Sequence, residues 1–370
     1  MTELAQMSAL RSSALKDDGE PTAQYAAVRD GSAGVIDLSS RGRISVSGSE
    51  AVTFLNGLIT NDIKALAKNS WMLAAFPNVQ GRLLAVVRVI NRGDDFLIDT
   101  ESTTHETVLR LLDRFTLAGD FRVADVTEQT VMLSVQGKTA EEMLRASIGG
   151  AEARIDRQQM VNAKLPNDTE IDVIRATHTA EDGFDLFVDA SAGEFLWNRL
   201  VAAGARPIGF EALEVLRIEA GIPRYGIDMD ETHVVTEANL DDAVSFTKGC
   251  YVGQEIIARI KYRGHVAKKL TGVIMEQETA LETGARIFSQ ADREIGRITS
   301  SVFSPRLKRT VALGYVKYDY LAPGTEVNVT AASPEPPEVR NPLATASGSV
   351  PAHVAELPFV RGSWYSSASG

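Results

Sequence analysis

Arg43-Ile44-Ser45-Val46-Ser47-Gly48-Ser49-Glu50-Ala51-Val52-Thr53-Phe54-Leu55 changes period in mid-course. Up to Ser47 apolar and polar residues alternate, the two-residue period of a strand with one buried face. Ser49, Glu50 and Ala51 then make a helix start for Val52, Phe54 and Leu55, though without a full capping box. Downstream, 71–76, 82–90 and 96–99 read as strands, the last two joined by the turn formers Asn91, Arg92, Gly93 and Asp94. Val108, Leu111, Leu112 and Phe115 follow at helical spacing. Strand, helix, strands, helix, strand describes a mixed α+β layer rather than a doubly wound parallel sheet.

A similar alternation returns further on, with strands at 131–135, 171–174 and 184–188 and helices at 140–147, 192–201 and 210–220. After Lys269 the runs become short and β-rich, at 270–275, 294–302, 311–316 and 326–330, the spacing of a small antiparallel barrel. A Pro, Ala and Ser-rich stretch, 331–350, reads as a loop, and Val354, Leu357, Phe359 and Val360 as a last strand. The expected organisation is an N-terminal arm (1–34), a first α+β lobe (35–130), a second α+β lobe (131–265) and a barrel (266–370). The exact lobe boundary is not legible, and interleaving is allowed.

The chain has 370 residues, 44% of them hydrophobic and 24% charged, more than one core of about 150 residues absorbs. A net charge of −11 repels a nucleic-acid backbone, so direct nucleic-acid binding is not expected. The longest apolar run, 83–90, is broken by Arg88 and falls short of the roughly 20 residues of a membrane helix. The first 20 residues have no apolar core like that of a secretory signal, which makes a reducing cytoplasm the expected location. A monomer is the expected state, although the sequence does not fix it. Cys250 is the only cysteine, so neither a disulfide within the chain nor an iron–sulfur cluster held by its own cysteines can form.

That thiol sits in the densest constellation of the chain, Lys248-Gly249-Cys250-Tyr251-Val252-Gly253-Gln254-Glu255. Ile256, Ile257 and Ile260 share one face of the helix that follows, and a helix start together with Lys248 favours a thiolate. The competing reading is an inert, buried cysteine. Between Lys248 and Lys269 basic residues outnumber the single acid, Glu255, which suits a solvated face or the tail of an anionic ligand. His105, His178, His233, His265 and His353 lack metal-ligand spacing, so no metal site is expected. A pairing of His265 with Cys250 is a weaker alternative. Two further clusters stand out: Thr179-Ala180-Glu181-Asp182-Gly183-Phe184-Asp185, which also reads as a charged hairpin turn, and Leu216 to Gly226, where Gly221 and Pro223 end a helix near Arg217 and Arg224.

Together these segments resemble the folate-binding family that includes the glycine-cleavage T-protein (aminomethyltransferase) and, more closely, its YgfZ-type relatives. The 248–255 stretch looks like the signature Lys-Gly-Cys-Tyr-x-Gly-Gln-Glu, and agreement extends through Phe54 to Asp62, Gln80-Gly81-Arg82, Arg217 to Pro223 and Gly296-Arg297-Ile298-Thr299-Ser300. The resemblance implies two α+β lobes and a β-barrel around a central tetrahydrofolate cavity. It places Asp185 at the pterin edge, where a carboxylate accepts two adjacent N–H groups, and Arg217 near the folate. His178 and Ala180 replace a Tyr and a Gly of the T-protein pattern. Tyr251, Gly249, Gly253 and Gln254 join the implied folate-binding set, with Cys250 and Lys248 as the reactive pair.

One departure concerns activity. Where the T-protein has Gly-Gly-x-x-Asp-Asp, this chain reads Gly81-Arg82-Leu83-Leu84-Ala85-Val86, and aliphatic side chains neither accept a proton nor stabilise a developing cation. The resemblance therefore points to a YgfZ-type role, a tetrahydrofolate-binding accessory protein for assembly or repair of iron–sulfur clusters in client proteins, tRNA-modifying enzymes among the candidate clients. The alternative is a folate-dependent aminomethyl or one-carbon transferase, and whether the chain is an enzyme stays open at this point. Cys250 is left open as a nucleophile, a transient cluster ligand or a redox group.

Overall fold

The structure is a computed structural model and describes residues 20–148, 155–330 and 348–366. Among these residues two compact units emerge, the first formed by 20–40, 128–148, 155–217 and 361–366, the second by 41–127, 218–330 and 348–360.

The first unit is built on a six-stranded sheet in the order Arg206–Pro207, Gly34–Asp37, Thr130–Gln136, Gly183–Asp189, Glu170–Arg175, Met160–Lys164. Only the Gly34–Asp37 and Arg206–Pro207 pair runs parallel. Helices Ala140–Ser147 and Gly193–Ala202 contribute Leu144, Leu196 and Leu200 to a core shared with Leu133, Val135, Phe184, Leu186 and Val188. The two-residue alternation of a strand turns Asp185 and Phe187 to the other face. Residues 20–34, read from sequence as part of an arm, instead carry the helix Pro21–Ala26, and Tyr25 and Val28 pack with Ile36, Ile208 and Leu216. Their apolar residues are too few to show a period, and the helix, continued by a π-helical segment over Ala27–Gly31, is short. The rest of the expected arm, 1–19, lies outside the described residues.

The second unit holds a five-stranded antiparallel sheet in the order Ser70–Pro77, Leu83–Asn91, Asp95–Thr100, Gly42–Ser47, Arg122–Asp125. Val46 is buried in this sheet, while Leu55 of helix Ala51–Leu58 and Val108 and Leu112 of helix Ser102–Asp113 pack in the same core. The same unit contains a closed antiparallel barrel in the order Lys268–Met275, Arg309–Lys317, Glu294–Ser304, Arg286–Ser289, Glu326–Thr330, Ser349–Ala355. The chain is thus α+β, with two sheet-bearing lobes and a C-terminal antiparallel barrel. The closing strand is Ser349–Ala355, so Leu357, Phe359 and Val360 lie beyond it, and the expected loop ends at least by Ser349. Val354 supplies the barrel's inner face, whereas Leu357 and Phe359 pack outside it with Leu270 and Leu313.

Candidate functional site

Three stretches far apart in sequence meet in the second unit. Helix Ala51–Leu58 ends with carbonyls that no further turn can satisfy. The buried Lys248 ammonium donates to the carbonyl oxygens of Asn56 at 2.7 Å, Ile59 at 2.9 Å and Asn61 at 2.6 Å. Three donors meet three acceptors, and the cation sits at the negative end of the helix. Burial lowers the Lys248 pKa to about 8, with Asp62 opposing the shift and Lys64 adding to it. The amide of Val252 donates to Gly57 O, which ties the same motif to the helix a second time.

Tyr251 is buried among Ala75, Leu83, Met229, Val235 and Ile257, and burial raises its phenol to about 12. Its ring lies 4.9 Å from the Lys248 nitrogen. Gly253, at φ +75°, precedes helix Gln254–Arg263. A Cβ there would lie 2.4 Å from Asn78 O and 3.0 Å from the Gly81 Cα, so only glycine fits. The Gly81-Arg82 turn is thereby held against the motif, and the Arg82 guanidinium reaches Thr232 O. Gln254 opens the helix, its amide bonded to Tyr251 O. Gly249 has open space around it, and Cys250 is exposed, three residues ahead of Gly253. Lys248 and Tyr251 therefore anchor the segment, while Gly249 and Cys250 form its solvent-facing part.

The first unit holds the other candidate residues. Asp185, on strand Gly183–Asp189, has no exposed surface, and its two oxygens lie 3.1 and 3.0 Å from Nε2 of the partly exposed His178. His178 is held from behind. The buried Gln136 donates through its amide to Ser134 Oγ and Ala176 O, and its carbonyl oxygen accepts the His178 amide at 2.9 Å. A Cβ on Gly183 would lie 2.1 Å from Gln136 Nε2. The Glu181-Asp182-Gly183 segment is a buried ionic joint rather than a solvated turn. Glu181 accepts from Arg29 at 3.1 Å and from Ser363, and Asp182 from Arg175 at 2.8 and 2.9 Å. Arg217, in the last turn of helix Phe210–Glu219, is buried and donates to Glu214 at 2.8 Å.

In the sequence His178 stands out as a histidine without metal-ligand spacing and as a replacement in the T-protein pattern, while Gln136 does not stand out. A glutamine inside an apolar strand next to Ser134 was the available signal, because a buried amide must find partners. The transfer-aspartate position of the resemblance falls at the start of strand Leu83–Asn91, where Leu83 and Ala85 are fully buried and no carboxylate is present. Among the described residues no cluster of His, Cys, Asp or Glu suits a metal ion, and no helix is long and apolar enough to cross a membrane.

Comparison with known proteins assigns both parts of the chain. Residues 19–248 match the GCVT N-terminal domain, and residues 268–341 match the glycine cleavage T-protein C-terminal barrel domain. The chain belongs to the glycine cleavage T-protein family. Within this family it is 32% identical over 340 residues to an aminomethyltransferase of Rubrobacter xylanophilus, covering 92% of this chain and 86% of that one. It is 30% identical over 297 residues to an aminomethyltransferase of Alcanivorax borkumensis, covering 80% of each. The glycine cleavage system aminomethyltransferase T of Bartonella henselae superposes with a TM-score of 0.79 at 22% identity, covering 92% of this chain and 90% of the other, a likeness of fold.

Proposed function

We propose that this chain binds tetrahydrofolate, the family's one-carbon cofactor, and serves in the cytoplasm as an accessory protein for iron–sulfur clusters carried by client proteins. The observation that carries the folate reading is the Asp185 and His178 pair, a fully buried carboxylate beside a partly exposed imidazole. This donor set fits a pterin. The carboxylate accepts from adjacent N–H groups, and the imidazole edge offers one further polar contact. Bound tetrahydrofolate supplies a reduced pterin able to carry a one-carbon unit. The chain's own part is to hold Asp185 in place through His178, with Gln136 fixing the backbone at His178. Arg217, already paired with Glu214, is the second polar group of this unit suited to the ligand.

The accessory role rests on two features of the second unit. No carboxylate stands at 83–86 to assist amine chemistry, and the exposed Cys250 is presented on a segment locked by Lys248, Tyr251 and Gly253. The likeness of 248–255 to the YgfZ-type Lys-Gly-Cys-Tyr motif favours a YgfZ-type function, with tRNA-modifying enzymes among the candidate clients. The names of the relatives favour a second reading, aminomethyl transfer to tetrahydrofolate.

Anaerobic titration with tetrahydrofolate tests the shared part. Asp185→Asn is expected to weaken binding at least tenfold, because a charge-assisted contact is lost in a buried site. Unchanged affinity would overturn the assignment of Asp185. Formation of methylene-tetrahydrofolate from an aminomethylated carrier would decide for the transferase. Complementation of an iron–sulfur maturation defect, abolished by Cys250→Ala, would decide for the accessory role.

A further inference from the structure

A pocket of about 610 Å³ lies wholly within the second unit, on the outside of the barrel. Strand register builds its wall. Arg297 stands opposite Tyr315, and Lys268 opposite Lys317, two residues further along the same strand. Paired residues share a face, as do residues two apart, so Arg297, Tyr315, Lys317 and Lys268 form one outward patch while Ile298 and Val316 face the barrel core. Gly296 permits the close approach, since a Cβ there would lie 2.2 Å from Tyr315 O.

The charges in this pocket are unevenly used. Asp228 accepts from Thr299 Oγ1 at 2.6 Å, from Ser300 and from the Arg224 amide. Asp230 accepts from the Thr232 amide and hydroxyl and pairs with His233 Nδ1 at 2.9 Å. Glu294 faces Arg286, and Lys317 donates to Glu294 O. Lys268 and Arg297 have no carboxylate partner among the described residues. The Lys268 nitrogen rests 4.9 Å over the Tyr315 ring, on which His233 also stacks at 4.3 Å. Burial and Lys268 hold the His233 pKa below its ordinary value, with Asp230 and Glu237 opposing the shift. Tyr315 is 5% exposed, and its buried hydroxyl has no hydrogen-bond partner among the described residues. A buried phenol of this kind normally finds one, so the wall has polar capacity that the chain does not use.

We propose that this pocket is a binding site for a small organic dianion, a dicarboxylate or a phosphate ester, held by Lys268 and Arg297. Both ligand types offer two oxygen-borne negative charges, and a volume of several hundred cubic ångströms takes such a molecule. None of its lining residues belongs to the unit that carries Asp185, and the proposal does not rest on the folate reading. Calorimetry on the full-length protein at low ionic strength, with succinate and glycerol 3-phosphate as probes and glycerol as neutral control, tests it. Saturable one-to-one binding of one probe is expected, and which probe binds identifies the class. Lys268→Gln with Arg297→Gln should raise its Kd at least tenfold without shifting the Tm. The charge-conserving pair Lys268→Arg with Arg297→Lys should retain binding, and Asp185→Asn should leave it unchanged. Absence of saturable binding by both probes, or undiminished binding by the double glutamine variant, would overturn the proposal.

Discussion

Replacing Asp99 with alanine is expected to cost about 3–5 kcal/mol of stability, the range for removing one partner of a buried ion pair. Asp99 lies in strand Asp95–Thr100 with no exposed surface and is held by two guanidinium groups. Arg41 bonds both its oxygens, at 2.8 and 3.0 Å, and Arg88, directly opposite on the next strand, bonds one at 2.7 Å. Without the carboxylate Arg41 keeps Glu101, but the buried Arg88 loses this counter-charge. Burial pushes the Asp99 carboxyl up, yet Arg41 and Arg88 outweigh it and hold its pKa below the usual range. The folded state therefore binds fewer protons than the unfolded chain near the carboxylate range. The stabilisation is complete above the unfolded value of about 4 and fades as pH falls through the folded value. Urea unfolding at pH 7 and at pH 3 measures both effects. A loss below about 1 kcal/mol at pH 7, or one that does not shrink in acid, would contradict the assignment.

Periodicity made most elements legible, because Ile44 and Val46, or Leu196 and Leu200, lie on faces that the core buries. Pairing was less accessible. Gly34–Asp37 joins Thr130–Gln136 across nearly a hundred residues, and a four-residue strand carries too few alternations to announce itself. The two-residue strand Arg206–Pro207 carries none. At the candidate sites, residue type revealed the chemistry but not the partners. Lys248 reads in sequence as a neighbour that activates Cys250, whereas its hydrogen bonds run to carbonyls nearly 190 residues away. Similarly, Asp182 reads as a turn residue until Arg175 and the tight fit of Gly183 against Gln136 are seen. Charge alone does not say which opposite charge the fold will supply.

The Lys248 geometry makes the second large prediction. Lys248→Met keeps an apolar stem beside Tyr251 but leaves the carbonyls of Asn56, Ile59 and Asn61 without their donor. Each unsatisfied buried polar group costs about 1–3 kcal/mol, so a total near 3 kcal/mol is expected even after partial relaxation or water entry. Lys248→Arg should not restore it, since a planar guanidinium does not reproduce the compact ammonium that serves three converging oxygens. Cys250→Ser, at an exposed position, should change stability by less than about 0.5 kcal/mol. Chemical denaturation of the three variants, read beside the alkylation rate of Cys250 by iodoacetamide, separates the two roles of the lysine. A scaffold lysine gives a large stability loss in Lys248→Met, with little change in thiol reactivity under native conditions. A lysine that activates the thiol gives the reverse, a slowed alkylation with stability nearly intact. Because all three ammonium hydrogens are already committed to carbonyls, Lys248 has no hydrogen bond left to give the thiol, and the first pattern is the expected one.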